Sequence, residues 1–196
     1  MRKRFAVFCG ARAGRSSVYA EAVVALTAEI GRRQGTVVYG GGRVGLMGVL
    51  ADSALAAGAK VIGVIPQDFA ELELAHPGLT QLHIVKNMHE RKAIMAENAD
   101  AFIAAPGGFG TLDELFEAIT WTQLGIQHKP VGLLNVDGLF NPLKAMIEKM
   151  RDDGFISPIY VDALLFCDNA AQLLDALSDA VVPPARVQVN PSPPVN

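Results

Sequence analysis

A glycine-rich turn in the middle of the chain leads into a segment that carries an acidic residue. Residues 101–117 read AFIAAPGGFGTLDELFE. The apolar run ends at Gly107, Gly108 and Gly110, and glycines let the backbone approach a ligand closely. Thr111 and the free N–H groups of the helix that opens here point toward the same spot, which favours an anion. Glu114 follows within one turn. A phosphate cradle beside a carboxylate indicates chemistry on a phosphorylated compound.

The same segment has a second, purely structural interpretation. Thr111 and Glu114 have the spacing of a capping box, in which the two side chains only fasten the start of a helix. The spacing alone is compatible with both interpretations. Two features favour the chemical one: three glycines precede the box, which a cap does not require, and Glu117 shares a helical face with Glu114.

Two adjacent cations, Arg91 and Lys92, lie early in the helix predicted over residues 88–98. Cations at this end oppose the helix dipole, so an anionic partner is one explanation. A solvated charged face is the other. His89-Glu90 does not continue into a zinc-protease motif, because Ala stands at position 93. The histidines show no ligand spacing, and we predict no metal site.

A second glycine-rich turn, residues 40–45, matches the dinucleotide fingerprint GxGxxG. The match is weak, because the turn follows the second predicted strand and the third strand ends in Ile65-Pro66-Gln67 without the acid that binds ribose. The glycines are also compatible with nothing more than a tight turn and close helix packing. We prefer a third interpretation, in which this loop forms one wall of a mononucleotide site.

The bulk composition excludes several classes of protein. The chain has 196 residues, of which 51% are hydrophobic and 19% charged, as in a single globular domain. A net charge of −3 gives no basis for nucleic-acid binding. Cys9 and Cys167 lie far apart, so neither a disulfide framework nor a zinc site is indicated. No apolar run reaches the ~20 residues of a membrane helix. We expect a cytoplasmic protein without membrane association.

Short apolar runs alternate with helical patterns along the chain. This alternation predicts an α/β fold, a doubly wound, Rossmann-like parallel sheet flanked by helices, in one domain over residues 1–182. The predicted strands are 5–9, 36–39, 61–65, 82–85, 101–105, 131–134 and 164–166, and the predicted helices are 18–34, 46–57, 88–98, 111–124, 142–150 and 170–180. Residues 67–80 are predicted to be a loop. Residues 183–196 hold five of the eleven prolines and are predicted to be a disordered tail.

Ligands of such sheets bind beyond the carboxyl ends of the strands. Three glycine-bearing loops belong to that edge: 10–17, 40–45 and 106–111. We therefore expect them to converge on one crevice.

Several separated motifs resemble one known family. The stretches MHERK (88–92) and PGGFGTLDE (106–114) are similar to the Lonely Guy family of cytokinin riboside 5′-monophosphate phosphoribohydrolases. The second stretch matches every fixed position of the family pattern PGGxGTxxE. GGGRVGLMG (40–48), WTQLG (121–125) and HKP (128–130) agree as well, so that the resemblance spans about residues 4–180. Family members have often been labelled lysine decarboxylases, but no lysine here lies in a recognisable pyridoxal phosphate motif.

The resemblance implies an N-glycosidase that needs no cofactor. Water would cleave the bond between the purine and ribose of a nucleoside 5′-monophosphate, releasing a free base, such as an N6-substituted adenine, and ribose 5-phosphate. Arg91 and Glu114 would be the catalytic pair. The other substrate contacts that it implies are Glu73, Lys92, Gly107, Gly108, Phe109, Gly110, Thr111, Leu112, Asp113 and Thr120. It also implies a homodimer with the active site near the interface.

The residues suit this chemistry. Glycosidic cleavage develops positive charge on the sugar, and Glu114 is the best candidate to stabilise that charge and orient water. Arg91 would either bind phosphate or lie near the leaving base. In the first loop Ala11 replaces the usual serine of the family, and Arg12, Ser16 or Ser17 are the candidates to replace that contact. Two alternative functions stay open: a nucleosidase for AMP or other purine monophosphates, and a non-catalytic carrier of a nucleotide or cofactor.

Overall fold

The computed structural model describes residues 3–72 and 74–186. In this part of the chain seven strands form one parallel sheet in the order β4-β3-β2-β1-β5-β6-β7. The strands are β1 (Arg4–Phe8), β2 (Thr36–Tyr39), β3 (Lys60–Pro66), β4 (Gln81–Val85), β5 (Ala101–Ala104), β6 (Val131–Leu134) and β7 (Leu164–Cys167). The helices are α1 (Ser17–Arg32), α2 (Gly45–Ala56), α3 (Gln67–Glu71), α4 (Met88–Glu97), α5 (Phe109–Gln123), α6 (Asn141–Asp152), α7 (Pro158–Asp162) and α8 (Ala170–Asp179). The predicted doubly wound α/β fold is confirmed.

The sheet is buried on both faces, which explains why its strands are continuous apolar runs. Side chains alternate along β1, so Phe5 and Val7 join a core with α1, α2 and α8. Ala6 and Phe8 join a second core with α4, α5 and the start of α6. The two cores hold the central strands rigidly, and the loops at their carboxyl ends are therefore well supported.

Two short helices escaped the sequence prediction. Helix α3 lies inside the stretch 67–80, which was predicted to be all loop, and none of its residues is buried. Helix α7 has a single buried residue, Tyr160. An amphipathic period cannot show itself in a five-residue helix with so little burial. Within the described residues no helix is both long and apolar enough to cross a bilayer.

Residues 183–186 pack against the rest of the domain, so the prediction that a disordered tail begins at residue 183 was wrong. Pro183 is buried. The Tyr160 hydroxyl donates a hydrogen bond to the Pro184 carbonyl at 3.0 Å, and the Arg186 N–H donates to the Gln123 carbonyl at 2.8 Å. Proline composition alone suggested disorder here, but the chain is fixed through backbone carbonyls that proline retains. Residues 187–196 lie outside the described residues, and for them the disordered tail stays a prediction.

The strand order reverses at β1, which has β2 on one side and β5 on the other. Loops that follow such a pair of strands diverge to opposite faces and leave a crevice between them. The Gly10 N–H donates to the Pro106 carbonyl at 3.0 Å, which joins the loops after β1 and β5. The Leu46 N–H donates to the Gly10 carbonyl at 3.0 Å, which adds the start of α2. The crevice is therefore bounded by three segments that are joined through Gly10.

Candidate active site

A cleft of about 610 Å³ lies at the carboxyl ends of β1 and β5. The first loop and the turn before α5 line it as expected. The glycine loop 40–45 does not line it, which corrects the preferred interpretation of that loop as a wall of the site; Leu46 and Met47 do so instead. A side chain at Gly45 would overlap the Ala11 backbone, so the first loop lies directly over this glycine. The second glycine loop supports the site from behind.

Helix α5 begins without a side-chain cap. Its N-cap is Gly108 and its first residue is Phe109, two residues earlier than predicted. Thr111 is thus inside the helix and cannot cap it, so the capping box does not form. The Thr111 Oγ1 atom is buried and makes no hydrogen bond among the described residues. A helix start with free N–H groups and an unpartnered hydroxyl is suited to an anion.

Gly107 is needed for this arrangement. A Cβ atom there would overlap the Thr111 hydroxyl and come within 2.9 Å of the Gly10 nitrogen. The turn is therefore limited to glycine by close backbone approach, in agreement with the reason given from the sequence.

Arg91 and Glu114 meet at the floor of the cleft. The Arg91 Nη2 and Glu114 Oε1 atoms are 3.2 Å apart, and the side chains are 13% and 8% exposed. Their alignment is not that of a hydrogen bond, and Glu114 Oε1 has no hydrogen-bond partner among the described residues. The Arg91 Nε–H donates to the Val64 carbonyl at the end of β3, at 3.2 Å. This second contact fixes the guanidinium beside the carboxylate.

The surroundings of Glu114 disfavour its ionised form. Burial raises the pKa of Glu114, and the Arg91 guanidinium only partly offsets this effect. A buried carboxyl group with a raised pKa, in contact with a guanidinium in a cleft, is typical of acid–base chemistry. Burial also raises the pKa of the Cys9 thiol far above its usual range. Cys9 lines the same cleft but stays protonated, and it is therefore not a nucleophile.

Lys92 points away from the cleft that its neighbour Arg91 enters. Its Nζ atom is 2.9 Å from Glu117 Oε2 and 3.2 Å from Asp113 Oδ2. Burial lowers the pKa of Lys92, but hydrogen bonds to Glu117 and Asp113 outweigh it and the net shift is upward. Lys92 is thus a fixed cation between α4 and α5.

The other predicted contacts divide into two groups. Those that line the cleft are Gly107, Gly108, Phe109, Gly110, Thr111 and Asp113. Phe109 is 93% exposed at the rim. Leu112 packs toward the second core. Thr120 lies in a separate groove of about 610 Å³ with Phe116, Phe155 and Ile159. Glu73 lies outside the described residues.

Loop 10–17 contains the candidates to replace the serine contact that Ala11 cannot make, and the structure separates two of them. The Ser16 Oγ atom accepts a hydrogen bond from the Val18 N–H and caps α1. Arg12, in contrast, lines the cleft. Of the candidates to replace the serine contact at position 11, Arg12 is therefore placed to reach a ligand.

Sequence reasoning gave no role in the site to five large apolar residues that line the cleft: Tyr19, Leu46, Met47, Met88 and Leu139. Tyr19 and Met88 were assigned to predicted helices without a role in the site. Leu139 follows a 3₁₀ turn after β6, where Asp137 has φ 52°. No motif or period marks such a position, and only the fold brings it to the cleft.

Known proteins resemble this chain over most of its length. A family model described as "Possible lysine decarboxylase" matches residues 47–177. An Arabidopsis thaliana protein named cytokinin riboside 5′-monophosphate phosphoribohydrolase LOG7 is 48% identical over 177 residues, which are 90% of this chain and 82% of that protein. A Rhodococcoides fascians protein named cytokinin riboside 5′-monophosphate phosphoribohydrolase is 46% identical over 176 residues, 89% of each chain.

These matches define the class of protein. The chain belongs to the Lonely Guy family, whose model carries the lysine decarboxylase description. The resemblance inferred from the motifs is thereby confirmed.

Solved structures agree on the fold. A molybdenum cofactor binding protein from Rippkaea orientalis superposes with a TM-score of 0.69 at 19% identity, covering 91% of this chain and 96% of that one. At that identity the similarity concerns the arrangement of sheet and helices only.

Proposed function

We propose that this protein is an N-glycosidase that hydrolyses cytokinin riboside 5′-monophosphates to the free base and ribose 5-phosphate. The observation that carries the proposal is the buried Arg91–Glu114 pair, which lies next to the uncapped start of α5 and leaves Glu114 Oε1 and Thr111 Oγ1 without hydrogen-bond partners. Unsatisfied buried polar atoms are costly, so a ligand that binds them gains free energy. Relatives that are 46–48% identical carry names stating this activity.

The phosphate binds at the start of α5. The N–H groups of the first turn and the Thr111 hydroxyl supply donors, and Gly107 keeps the approach open. Arg12 lines the cleft and adds positive charge. Phosphate binding at a distance from the reacting bond positions the sugar, and this binding energy then contributes to kcat.

Glu114 acts at the sugar. As the glycosidic bond breaks, positive charge develops on the ribose, and a buried carboxylate stabilises it strongly because little water screens the interaction. The same group accepts a proton from the water whose oxygen bonds to the sugar, and the purine, which leaves with the electron pair of the broken bond, takes up that proton to become the free base. The positive charge of Arg91 favours the ionised form of Glu114.

The base lies among apolar side chains. Met47, Met88 and Leu139 line the cleft, and Phe109 stands exposed at its rim. An apolar N6 substituent gains free energy by covering such a surface, which favours N6-substituted AMP. AMP itself is the second candidate, since the phosphate and ribose contacts are shared.

The exposed apolar face around the second groove supports a homodimer. Phe155 is 79% and Ile159 47% exposed, and Phe116 lies beside them. Exposed apolar patches of this kind mark interaction surfaces, and Thr120 lies in this groove. Sedimentation at micromolar concentration tests the pairing: the wild type sediments as a dimer, and Phe155→Asp shifts it toward monomer. A monomeric wild type would contradict it.

Hydrolysis is tested with isopentenyl-AMP and AMP, with the free base and ribose 5-phosphate measured separately. We expect both products in equal amounts and faster turnover of isopentenyl-AMP. Glu114→Gln keeps the side-chain volume and should lose almost all turnover while the circular dichroism spectrum is unchanged. Release of neither product would contradict the proposal and favour a carrier. If the Glu114→Gln variant turned over substrate nearly as fast as the wild type, Glu114 would have no catalytic role.

A further inference from the structure

Lys92 has a place in the structure that differs from the one implied by resemblance. We propose that Lys92 is a positioning residue that fastens α4 to α5, so that the adjacent Arg91 meets Glu114, and that it does not contact the substrate. The inference rests on the proposed function, because hydrolysis is one of its readouts.

The geometry begins with the helix itself. Consecutive helical residues do not face the same way, so Arg91 enters the cleft while Lys92 leaves α4 on another side. On α5, Glu114 and Glu117 are three residues apart and lie on one face. The Arg91–Glu114 contact at 3.2 Å and the Lys92–Glu117 contact at 2.9 Å therefore form two successive rungs between the helices.

The space beside the Lys92 side chain is too small for a nucleotide. Its side chain is 11% exposed. The space that it lines behind Glu114, together with Phe8, Phe102 and Trp121, has a volume of about 10 Å³. Such a space holds about one water molecule. Contact with the substrate would require Lys92 to leave both of its carboxylate partners, Asp113 and Glu117.

Lys92 also acts on Glu114 through its charge. The groups that face Glu114 are Arg91 and Lys92 from α4, Asp113 and Glu117 from α5, and the Cys9 thiol from the loop after β1. Lys92 opposes the two additional carboxylates, so its removal leaves their charge uncompensated. Ionisation of Glu114 then becomes less favourable, and the acidic limb of the pH profile of kcat/KM moves to higher pH.

The experiment compares Lys92→Met, Lys92→Arg, Glu117→Gln and the double variant Lys92→Met/Glu117→Gln. Displacement of a reacting group by a fraction of an ångström to 1 Å costs about ten- to a hundredfold, so we expect Lys92→Met to lower kcat by about tenfold or more. KM for isopentenyl-AMP should stay within about twofold. Lys92→Arg should recover most of kcat. The double variant should be no worse than Lys92→Met alone, because both changes remove the same rung.

Lys149→Met is the matched control, since it removes the lysine of an exposed ion pair with Asp153 on α6. It should leave kcat, KM and the pH profile unchanged. Titration calorimetry with AMP, on proteins that also carry Glu114→Gln and so do not hydrolyse it, gives a readout independent of turnover: Lys92→Met should change the AMP affinity by no more than about twofold.

Several results would overturn the inference. A tenfold rise in KM with kcat unchanged, or an equivalent loss of AMP affinity, would make Lys92 a substrate ligand. Additive effects of the two single changes, or an acidic limb that does not move, would also contradict it. Absence of hydrolysis by the wild type would instead contradict the proposed function, and AMP affinity would then decide the placement of Lys92 by itself.

Discussion

Gly40 is predicted to control the active site although it does not line the cleft. A Cβ atom built on Gly40 overlaps the Arg91 Nη2 atom and lies 2.9 Å from its Cζ. Gly40→Ala needs no unusual backbone conformation, because the φ angle of Gly40 is not positive. The methyl group therefore acts on Arg91 and not on the turn. The guanidinium must move by roughly 1.5 Å to restore ordinary contact.

The cost follows from the Arg91–Glu114 distance. At an effective dielectric constant of about 20, lengthening the 3.2 Å contact by that amount removes about 1.5–2 kcal/mol of attraction. If the transition state depends on this pair, kcat/KM falls about ten- to thirtyfold. The loss should appear at neutral pH with isopentenyl-AMP as substrate, read as ribose 5-phosphate release.

A matched control separates this effect from a general cost of alanine. A Cβ atom at Gly78 lies 3.4 Å from its nearest neighbour, an atom of the His76 ring, which is ordinary contact. Gly78→Ala should keep kcat/KM within about twofold, and both variants should melt cooperatively. A Gly40→Ala enzyme within about threefold of wild type would refute the idea that the glycine makes room for Arg91.

Three further predictions follow from the site and the chain end. Glu114→Gln should raise Tm at neutral pH, because burial raises the pKa of Glu114 and the folded state loses stability as the pH rises through that pKa. The gain in Tm should vanish below pH 4.5, the ordinary pKa of the group. Equal Tm values of the variant and the wild type at pH 7 would contradict this prediction. The kcat/KM value for isopentenyl-AMP should exceed that for isopentenyladenosine by at least about a hundredfold, since two charge-assisted contacts at about 1.5–3 kcal/mol each are lost with the phosphate. Similar kcat/KM values for the two compounds would contradict phosphate binding at the start of α5. Deletion of residues 187–196 should leave Tm and turnover unchanged. Deletion of residues 184–196 should lower Tm, because Tyr160 and Gln123 lose hydrogen-bond partners that contribute about 0.5–1.5 kcal/mol each. Identical Tm values for the two truncated proteins would contradict this prediction.

The alternation of strands and helices was predictable because it depends on local patterns. Buried parallel strands are short apolar runs, and helices such as α1 carry a recurring apolar face, with Val23, Leu26 and Ile30 fully buried. The start of α8 at Ala170 agrees with the predicted helix 170–180, and Asn169 caps it by accepting hydrogen bonds from the N–H groups of Ala171 and Gln172. The motif around Glu114 indicated the family, and the doubly wound sheet placed its turn at the ligand-binding edge.

What the sequence could not decide was the choice between equally spaced alternatives. The spacing of Thr111 and Glu114 fits a capping box, but α5 begins two residues earlier, after Gly108. Both side chains therefore lie inside the helix, where Thr111 Oγ1 and Glu114 Oε1 are buried without hydrogen-bond partners among the described residues. Arg91 and Lys92 are neighbours with the same charge, yet the packing of α4 on α5 sends only Arg91 into the cleft. Propensity and period describe each segment alone, whereas burial, the opposing face and the pKa of Glu114 arise only when distant segments meet.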